Sequence, residues 1–364
     1  VRKGFHVVIA SFKTPNPLMV QRTNPDIKFY TIGDFSYNKN TVSQLRRILE
    51  SNHIDITINQ WGLPYIPCKV LNKAKEGLGI KTIAVYHNSP DNNARIKDVE
   101  ISLEEKHGSI GRLVLQLKKL AFKEVTSRSM KYVYDNTDLY VVLSPSYIRT
   151  FEEFTGVRNP SHLVAIPNPV TVDAKSYTYH PENKRKEIVY IGRIDYNQKR
   201  VSRIIDVWNI LEKEHPDWKL TIVGDGVSRK DVEEQAKDLQ LHNISFEGFK
   251  RPEEYYRRAS ILLLTSEYEG FPLVLPECMS YGVVPVVYDS FAAIHDIIDN
   301  NENGVIIPKV EGYFDKNQAA TLLSSLMNSP ERLEKMAEKA MEKSKTFALD
   351  MITEQWISTF NKLM

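Results

Sequence analysis

The stretch EGFPLVLPE, residues 269–277, places two glutamates eight positions apart around an apolar segment with two prolines. It follows the apolar run ILLLTSEY, which is typical of a buried strand, and it leads into a pattern that predicts a helix. The backbone N–H groups at 271–274 would be the unpaired donors of that helix start, which suits them to bind a diphosphate. Capping remains an alternative role for Glu269. Our interpretation is that Glu269 binds hydroxyl groups of one sugar and Glu277 those of a ribose, with the diphosphate between them.

Two cations precede a second predicted helix. Arg193 and Lys199 follow the strand pattern EIVYIGR, in the loop before that helix. Cations at the carboxyl end of a strand, beside a helix start, form an anion site, and the guanidinium can bind two phosphate oxygens. A solvated basic loop is the alternative. Farther along, Gly224 and Gly226 follow another strand pattern, and we expect them to permit a tight turn and a close backbone approach.

Short apolar runs alternate with segments of helical period along the whole chain, a pattern typical of α/β proteins with parallel sheets. The strand candidates are residues 5–11, 27–33, 54–61, 81–87, 139–144, 187–193, 219–226, 244–249, 259–266 and 283–289. Residues 158–186 interrupt the alternation with four prolines, and we predict an interdomain linker there. The predicted domains are residues 1–168 and 169–345, and a last helix within 346–364 crosses back to the first domain.

The composition is that of an ordinary globular chain of 364 residues, with 42% hydrophobic and 26% charged residues. Residues 1–168 hold 23 Lys/Arg and 15 Asp/Glu, a balance of +8, and the rest holds 25 and 31, a balance of −6. Either the first half faces something anionic or the difference is chance variation. Cys68 and Cys278 lie in separate halves, which fits a reducing cytosol and predicts neither a disulfide framework nor a metal site.

The longer motifs carry a family resemblance. The segments GRIDYNQK, IVGDG, FEGF and TSEYEGFPLVLPECMSYGVVPVV resemble the C-terminal half of a family 4 glycosyltransferase of the GT-B fold. The segments RKGFHVVIAS, DLYVVLSPSYIRTFEEFTG and VAIPNPV resemble its N-terminal half more loosely. The resemblance implies two Rossmann-like domains with parallel sheets that face each other across a cleft. The family's first strand and glycine-rich loop have no counterpart after Val1, so we expect the first βα unit to be missing from the N-terminal, acceptor-side domain.

The resemblance also implies an activity. It is a retaining, metal-independent transfer of a hexose-type sugar from a nucleotide diphosphate sugar, with UDP favoured, to a glycan or lipid-linked acceptor in cell-surface polysaccharide synthesis. No cofactor and no nucleic acid are expected, and no D-x-D metal motif occurs in the chain. The implied catalytic residues are Arg193, Lys199, Glu269 and His87. The implied donor-binding residues are Gly192, Gly224, Phe249, Gly270, Phe271, Pro272, Leu273, Val274 and Glu277. Without the resemblance, a histidine at a strand end is more often a structural hydrogen bonder.

The segment 109–132 has helical period with two distinct faces. One is an apolar stripe, formed by Ile110, Leu113, Leu117, Leu120 and Ala121. The other mixes basic and apolar residues, namely Arg112, Leu115, Lys119, Phe122 and Lys123. Basic residues beside exposed apolar ones suggest a helix on an anionic membrane surface, whereas a plain solvated face is the alternative. We expect a cytoplasmic protein that is peripheral on the inner face of the membrane.

Two other functions remain open at this point. The first is a sugar-nucleotide epimerase with the same fold, which would need acid and base carboxylates near C2 of the sugar. The second is a non-catalytic nucleotide-sugar-binding module, in view of the absent glycine-rich loop.

Overall fold

The computed structural model describes residues 3–104, 108–174 and 176–364. The first half contains β1 (Val8–Ser11), α1 (Pro17–Arg22), β2 (Lys28–Thr31), α2 (Lys39–Ser51), β3 (Ile56–Asn59), α3 (Tyr65–Ala74), β4 (Lys81–Val85), α4 (Ala94–Glu104), α5 (Ser109–Asp135), β5 (Leu139–Val142), α6 (Ser146–Thr155) and β6 (Leu163–Ala165). The second half contains β7 (Glu187–Ile191), α7 (Val201–Glu214), β8 (Lys219–Val223), α8 (Arg229–Asp238), β9 (Ile244–Gly248), α9 (Glu253–Arg258), β10 (Ile261–Leu264), α10 (Val274–Met279), β11 (Val284–Tyr288), α11 (Ile294–Ile297), β12 (Val305–Ile307), α12 (Lys316–Met327), α13 (Pro330–Ser344) and α14 (Leu349–Leu363).

The second half is built on a six-stranded parallel sheet with the strand order β12-β11-β10-β7-β8-β9. Strands β10 and β11 are buried along their whole length, as expected when both faces of a parallel sheet are covered. The strand order reverses between β7 and β10, and such a switch point opens a crevice at the carboxyl ends of the two strands. The loops after β7 and β10 carry the GRIDYNQK and EGFPLVLPE segments, so the topology brings both motifs to one crevice.

The first half has two separate parallel sheets. Strands β3, β4, β5 and β6 form one sheet in that order, and β1 and β2 form the other. Strands β4 and β5 are almost wholly buried, whereas β1 and β3 keep exposed positions in their middle.

Each of the ten predicted strands contains an observed strand, but two strands were not predicted, β6 and β12. Strand β6 lies inside the predicted linker 158–186, so the prediction of a linker is wrong for residues 163–165. Leu163 pairs with Tyr140 of β5, which makes this segment the edge of the four-stranded sheet. Both missed strands have only three residues, too few for a periodic pattern. The domain boundaries after residues 168 and 345 stay predictions.

Helix α6 of the first half is anchored in the second half. The Asp296 carboxylate of α11 accepts a hydrogen bond from the main-chain N–H of Ser146 at 2.9 Å and another from the hydroxyl of Ser144. The buried Tyr147 hydroxyl donates to the carbonyl oxygen of Glu269 at 2.8 Å. Asp296 therefore acts as the N-terminal cap of a helix that belongs to the other half of the molecule.

The last helix lies against the start of the chain. The ring of Phe360 in α14 packs edge-on against Phe5, with centroids 5.6 Å apart. An exposed ion pair joins Lys3 and Glu354 at 2.7 Å.

Candidate active site

The two halves meet at the exit of β10. A Cβ atom on Gly270 would lie 1.9 Å from the carbonyl oxygen of His87, which follows β4 of the first half. No side chain fits there without moving a backbone, so glycine is required by this close approach. The contact places EGFPLVLPE directly opposite the end of β4.

A buried ion pair links the two loops at the switch point. The Lys199 ammonium lies 2.5 Å from a carboxylate oxygen of Glu269, and both side chains are largely buried. Gln198 adds a weaker bond, from its amide to the second Glu269 oxygen at 3.4 Å. Glu269 therefore does not cap a helix, and the capping alternative is wrong for this residue. Its carboxylate instead neutralises a lysine.

Arg193 keeps its charge toward solvent. Its Nε donates to Asp195 at 2.7 Å and its Nη2 donates to Gln198 at 2.7 Å, yet 63% of the side chain is exposed. Asp195 and Gln198 thus hold the guanidinium at the mouth of the crevice without burying it. Sequence reasoning missed both holding residues, although they lie between the two cations in GRIDYNQK.

The helix start differs from the prediction. Helix α10 begins at Val274 and has only six residues, and Pro272 has no N–H to offer. The amides of Phe271, Leu273 and Val274 are left, and among the described residues none of the three has a hydrogen-bond acceptor. The side chains of Phe271 and Pro272 are both buried, and the Phe271 ring packs against Phe347. Any ligand contact of this segment would therefore run through its main chain.

Glu277 lies on α10, close to the chain segment that joins the halves. Its carboxylate accepts long hydrogen bonds from the Thr171 hydroxyl at 3.3 Å and from the Tyr256 hydroxyl at 3.4 Å. Burial raises the pKa of this carboxyl above its ordinary value, although the two hydroxyls oppose the shift. The structure does not bring Glu277 into contact with Glu269, which agrees with separate partners for the two glutamates.

His87 is held by the neighbouring loop of the first half. Its Nε2 lies 2.6 Å from the side-chain oxygen of Gln60, two residues after Ile58 in β3. Surrounding protein atoms disfavour the imidazolium and lower the pKa of His87. The ring is therefore mainly neutral near pH 7. Gln60 is a third residue, after Asp195 and Gln198, that the sequence did not single out.

The two glycines after β8, Gly224 and Gly226, make the close backbone approach that was predicted. A Cβ on Gly224 would lie 1.8 Å from the carbonyl oxygen of Gly192, and one on Gly226 would lie 2.1 Å from that of Ile194. The two loops thus pack backbone to backbone. Phe249, after β9, has an exposed ring. Among the residues described, no group of three or more metal-binding side chains is found, and independence from metal ions stays a prediction.

Two family models together match almost the whole chain. "Glycosyltransferase Family 4" matches residues 1–174, and "Glycosyl transferases group 1" matches residues 175–343. An amylovoran biosynthesis glycosyltransferase of Erwinia amylovora is 28% identical over 49% of this chain and 49% of its own length. An alpha-1,4-N-acetyl-D-galactosaminyltransferase of Campylobacter jejuni, whose name gives a PP-undecaprenol-linked acceptor, is 26% identical over 48% of this chain and 47% of its own length. The chain spans about half the length of the curated relatives it matches.

The same fold occurs in solved structures. The crystal structure of Anabaena HepE in complex with UDP superposes with a TM-score of 0.74 at 15% identity, over 98% of this chain and 92% of that one. This likeness, together with the two parallel α/β halves, shows the fold predicted from the sequence.

Proposed function

The chain belongs to family 4 of the glycosyltransferases and has the GT-B fold, and we propose that it transfers a hexose-type sugar from a UDP-sugar to a glycan or lipid-linked acceptor. The transfer retains the anomeric configuration, needs no metal ion and serves the synthesis of a cell-surface polysaccharide. The amylovoran and PP-undecaprenol relatives support the acceptor class, and the UDP complex of a structural neighbour supports the nucleotide.

The arrangement of charge at the switch point carries the proposal. Arg193 is exposed at the mouth of the crevice, and Lys199 lies deeper, paired with Glu269. The amides of Phe271, Leu273 and Val274, which have no acceptor among the described residues, complete an anion site. When the bond between C1 of the sugar and the diphosphate breaks, negative charge grows on the diphosphate. Fixed cations and amides stabilise that charge without having to reorganise. Stabilising the charge on the leaving diphosphate is the largest electrostatic task of the reaction.

The acceptor attacks from the side of the leaving group. Its hydroxyl oxygen forms the new bond to C1 while the C1–phosphate bond breaks, and its proton passes to the departing phosphate oxygen. Attack on this face retains the configuration without an enzyme nucleophile. Glu269 binds hydroxyls of the transferred sugar and shares its charge with Lys199, and neutral His87 binds the sugar from the opposite wall.

Titration with UDP-, GDP- and ADP-sugars, followed by thermal unfolding, tests the proposal. We expect UDP and UDP-hexoses to raise the melting temperature, and Arg193→Ala to weaken this effect. Arg149→Ala is a matched control, because Arg149 is an exposed arginine on α6 that pairs only with Glu153 among the described residues. Stabilisation by no uridine compound, or equal stabilisation of wild type and Arg193→Ala, contradicts the proposal.

Two further readouts separate the alternatives. Formation of ManNAc from UDP-GlcNAc without an acceptor would indicate an epimerase. Binding of UDP-sugars with neither hydrolysis nor transfer would indicate a binding module.

Helix α5 supports a membrane contact for the same enzyme, with a corrected face. Lys119 pairs with Glu100 of α4 at 2.8 Å, and Leu115, Phe122 and Lys123 are half-buried, so the mixed face packs against the protein except at Arg112, which is exposed. The apolar stripe points outward instead: Ile110, Leu113, Leu117 and Leu120 are at least 56% exposed, and Ala121 is exposed as well. The nearby Val114 and Val125 are equally exposed. Such a stripe, in a first half with excess positive charge, suits an anionic bilayer surface. No helix in the described part of the chain is both long and apolar enough to cross a bilayer.

A further inference from the structure

Arg200 lies between Lys199 and the first residue of α7, and its main chain is left-handed, with φ 50° and ψ 43°. This conformation favours glycine, because in other residues the Cβ atom comes too close to the following carbonyl oxygen. A residue with a side chain persists there only when its surroundings stabilise it. The contacts of the Arg200 side chain therefore explain what an arginine does at a position that suits glycine.

The Arg200 side chain is buried against the other loop of the crevice. Only 6% of it is exposed, and its Nε lies 3.4 Å from a carboxylate oxygen of Glu267. The guanidinium also lies over the ring of Tyr196, 4.6 Å from the ring centroid. Glu267 pairs in addition with Arg203 of α7. A carboxylate that contacts two largely buried guanidiniums is held firmly, because moving it would leave buried charges unpaired.

Main-chain hydrogen bonds join the same two loops on both sides of Lys199. The N–H of Glu267 donates to the carbonyl oxygen of Gln198 at 2.7 Å. The buried Thr265 hydroxyl donates to the carbonyl oxygen of Arg200 at 3.0 Å. Lys199 is thus flanked by two residues that are bound to the loop after β10.

The two acidic residues of that loop have different partners. Glu269 contacts the Lys199 ammonium, and Glu267, two positions earlier, contacts Arg200. A diphosphate that binds the ammonium competes with Glu269 for it. The pair of Arg200 and Glu267 does not include the ammonium, so it can keep the main chain in place while Lys199 changes its partner.

We propose that Arg200 is a positioning residue for the transfer: its ion pair with Glu267 fixes the main chain of Lys199, so that the ammonium meets the leaving diphosphate. The inference rests on the proposed function, because it assigns Lys199 to the diphosphate. A lysine carries its charge on a flexible four-carbon chain, so the direction of that charge depends on a fixed main chain. Positioning of this kind matters most when charge develops on the leaving group.

Arg200→Gly separates the side chain from the backbone conformation. Glycine adopts the left-handed conformation more readily, so a purely conformational role predicts full activity. The positioning role predicts that UDP affinity and kcat each fall about tenfold, while the KM of the UDP-sugar changes less than kcat. Arg200→Lys, which keeps the charge, should restore part of both. Gln240→Gly is the matched control, because Gln240 is an exposed second-half residue with a φ of 55°.

Glu267→Gln separates positioning from an effect of the Arg200 charge alone. It removes a negative charge near the diphosphate site, so charge alone predicts tighter UDP binding. The positioning role predicts UDP binding that is about threefold weaker, because a neutral amide holds the two guanidiniums less firmly. Calorimetry with UDP measures this difference, and circular dichroism checks that both variants are folded.

The outcomes distinguish this inference from the proposed function. UDP that fails to bind the wild type overturns the proposed function, and the inference with it. UDP that binds the wild type and Arg200→Gly equally, with equal kcat, overturns the inference alone, and so does tighter binding by Glu267→Gln. If Arg200→Gly does not fold, the opposite signs expected for Glu267→Gln still decide the question.

Discussion

The six-stranded sheet of the second half and the two sheets of the first half solve the same packing problem differently. In the second half, β10 and β11 are buried throughout, and the loops after β7 and β10 meet at the crevice. In the first half, Ile9 of β1 and Ile58 of β3 are more than a third exposed. Of the 24 large hydrophobic side chains that are exposed among the described residues, 16 lie before residue 169.

This difference separates the half that carries the candidate active site from the half that exposes apolar surface. A fully covered sheet fixes Arg193, Lys199 and Glu269 relative to one another, as stabilisation of a developing charge requires. The first half instead presents the exposed α5 stripe to a partner surface. Substitutions in the second half should therefore alter turnover and donor affinity, and substitutions in the first half should alter which surfaces the enzyme binds.

The largest effect should come from separating the halves. In Gly270→Ala the new methyl group would overlap the His87 carbonyl oxygen, so the walls of the cleft must move apart. A displacement of about 1 Å between reacting groups can lower the rate on the order of a hundredfold. Initial-rate measurements check this, and circular dichroism should remain unchanged. Gly108→Ala, where a Cβ meets nothing within 4 Å, is the control. Equal rates for Gly270→Ala and Gly108→Ala would show that the halves need not touch.

Substitution of Glu269 should mainly lower turnover, and substitution of Glu277 should mainly lower nucleotide affinity. Under the proposed function, Glu269→Gln removes hydroxyl contacts that matter most in the transition state and also removes the charged partner of Lys199. Turnover should fall steeply, while UDP affinity should not fall, because the diphosphate can then bind the freed Lys199. Glu277→Gln should weaken UDP and UDP-sugar alike, by about 1.5–3 kcal/mol, as expected for a charged hydrogen bond. Calorimetry with UDP measures the second effect. Loss of UDP affinity in Glu269→Gln as large as that in Glu277→Gln would refute the division of roles.

The pH dependence of UDP binding sharpens the assignment of Glu277. Its raised pKa means that the neutral form, a poorer hydroxyl acceptor, accumulates at a higher pH than for an ordinary glutamate. Wild-type UDP affinity should therefore decline on acidification, and Glu277→Gln should flatten that decline.

Substitutions in the α5 stripe should have the smallest effect on the rate of the reaction itself. Leu113→Gln with Leu117→Gln should lower sedimentation with phosphatidylglycerol vesicles about tenfold, since each leucine loses part of the ~1.5–3 kcal/mol gained on burial. Hydrolysis of a soluble donor should be unaffected. Leu349→Gln with Met351→Gln, at two exposed positions of α14, is the matched control. Equal vesicle binding by both double variants would rule out this face.

The sequence predicted the ten main strands because each is a continuous apolar run, and it predicted the crevice because the motifs follow β7 and β10. It could not predict the partner of Lys199, which is 70 positions away along the chain. It also misjudged α5, because periodicity finds two faces but does not tell which one packs on α4.

Because Asp296 of the second half caps α6 of the first half, a movement of one half changes the stability of a helix in the other. If the cleft widens to admit the donor, Ser146 loses the acceptor of its amide, and α6 loses a cap worth about 1 kcal/mol. The cap therefore favours the closed arrangement of the two halves by a modest free energy, which is regained each time the halves rejoin. The Ser146 amide proton then becomes a reporter of opening, since it can exchange with solvent only while the carboxylate is away.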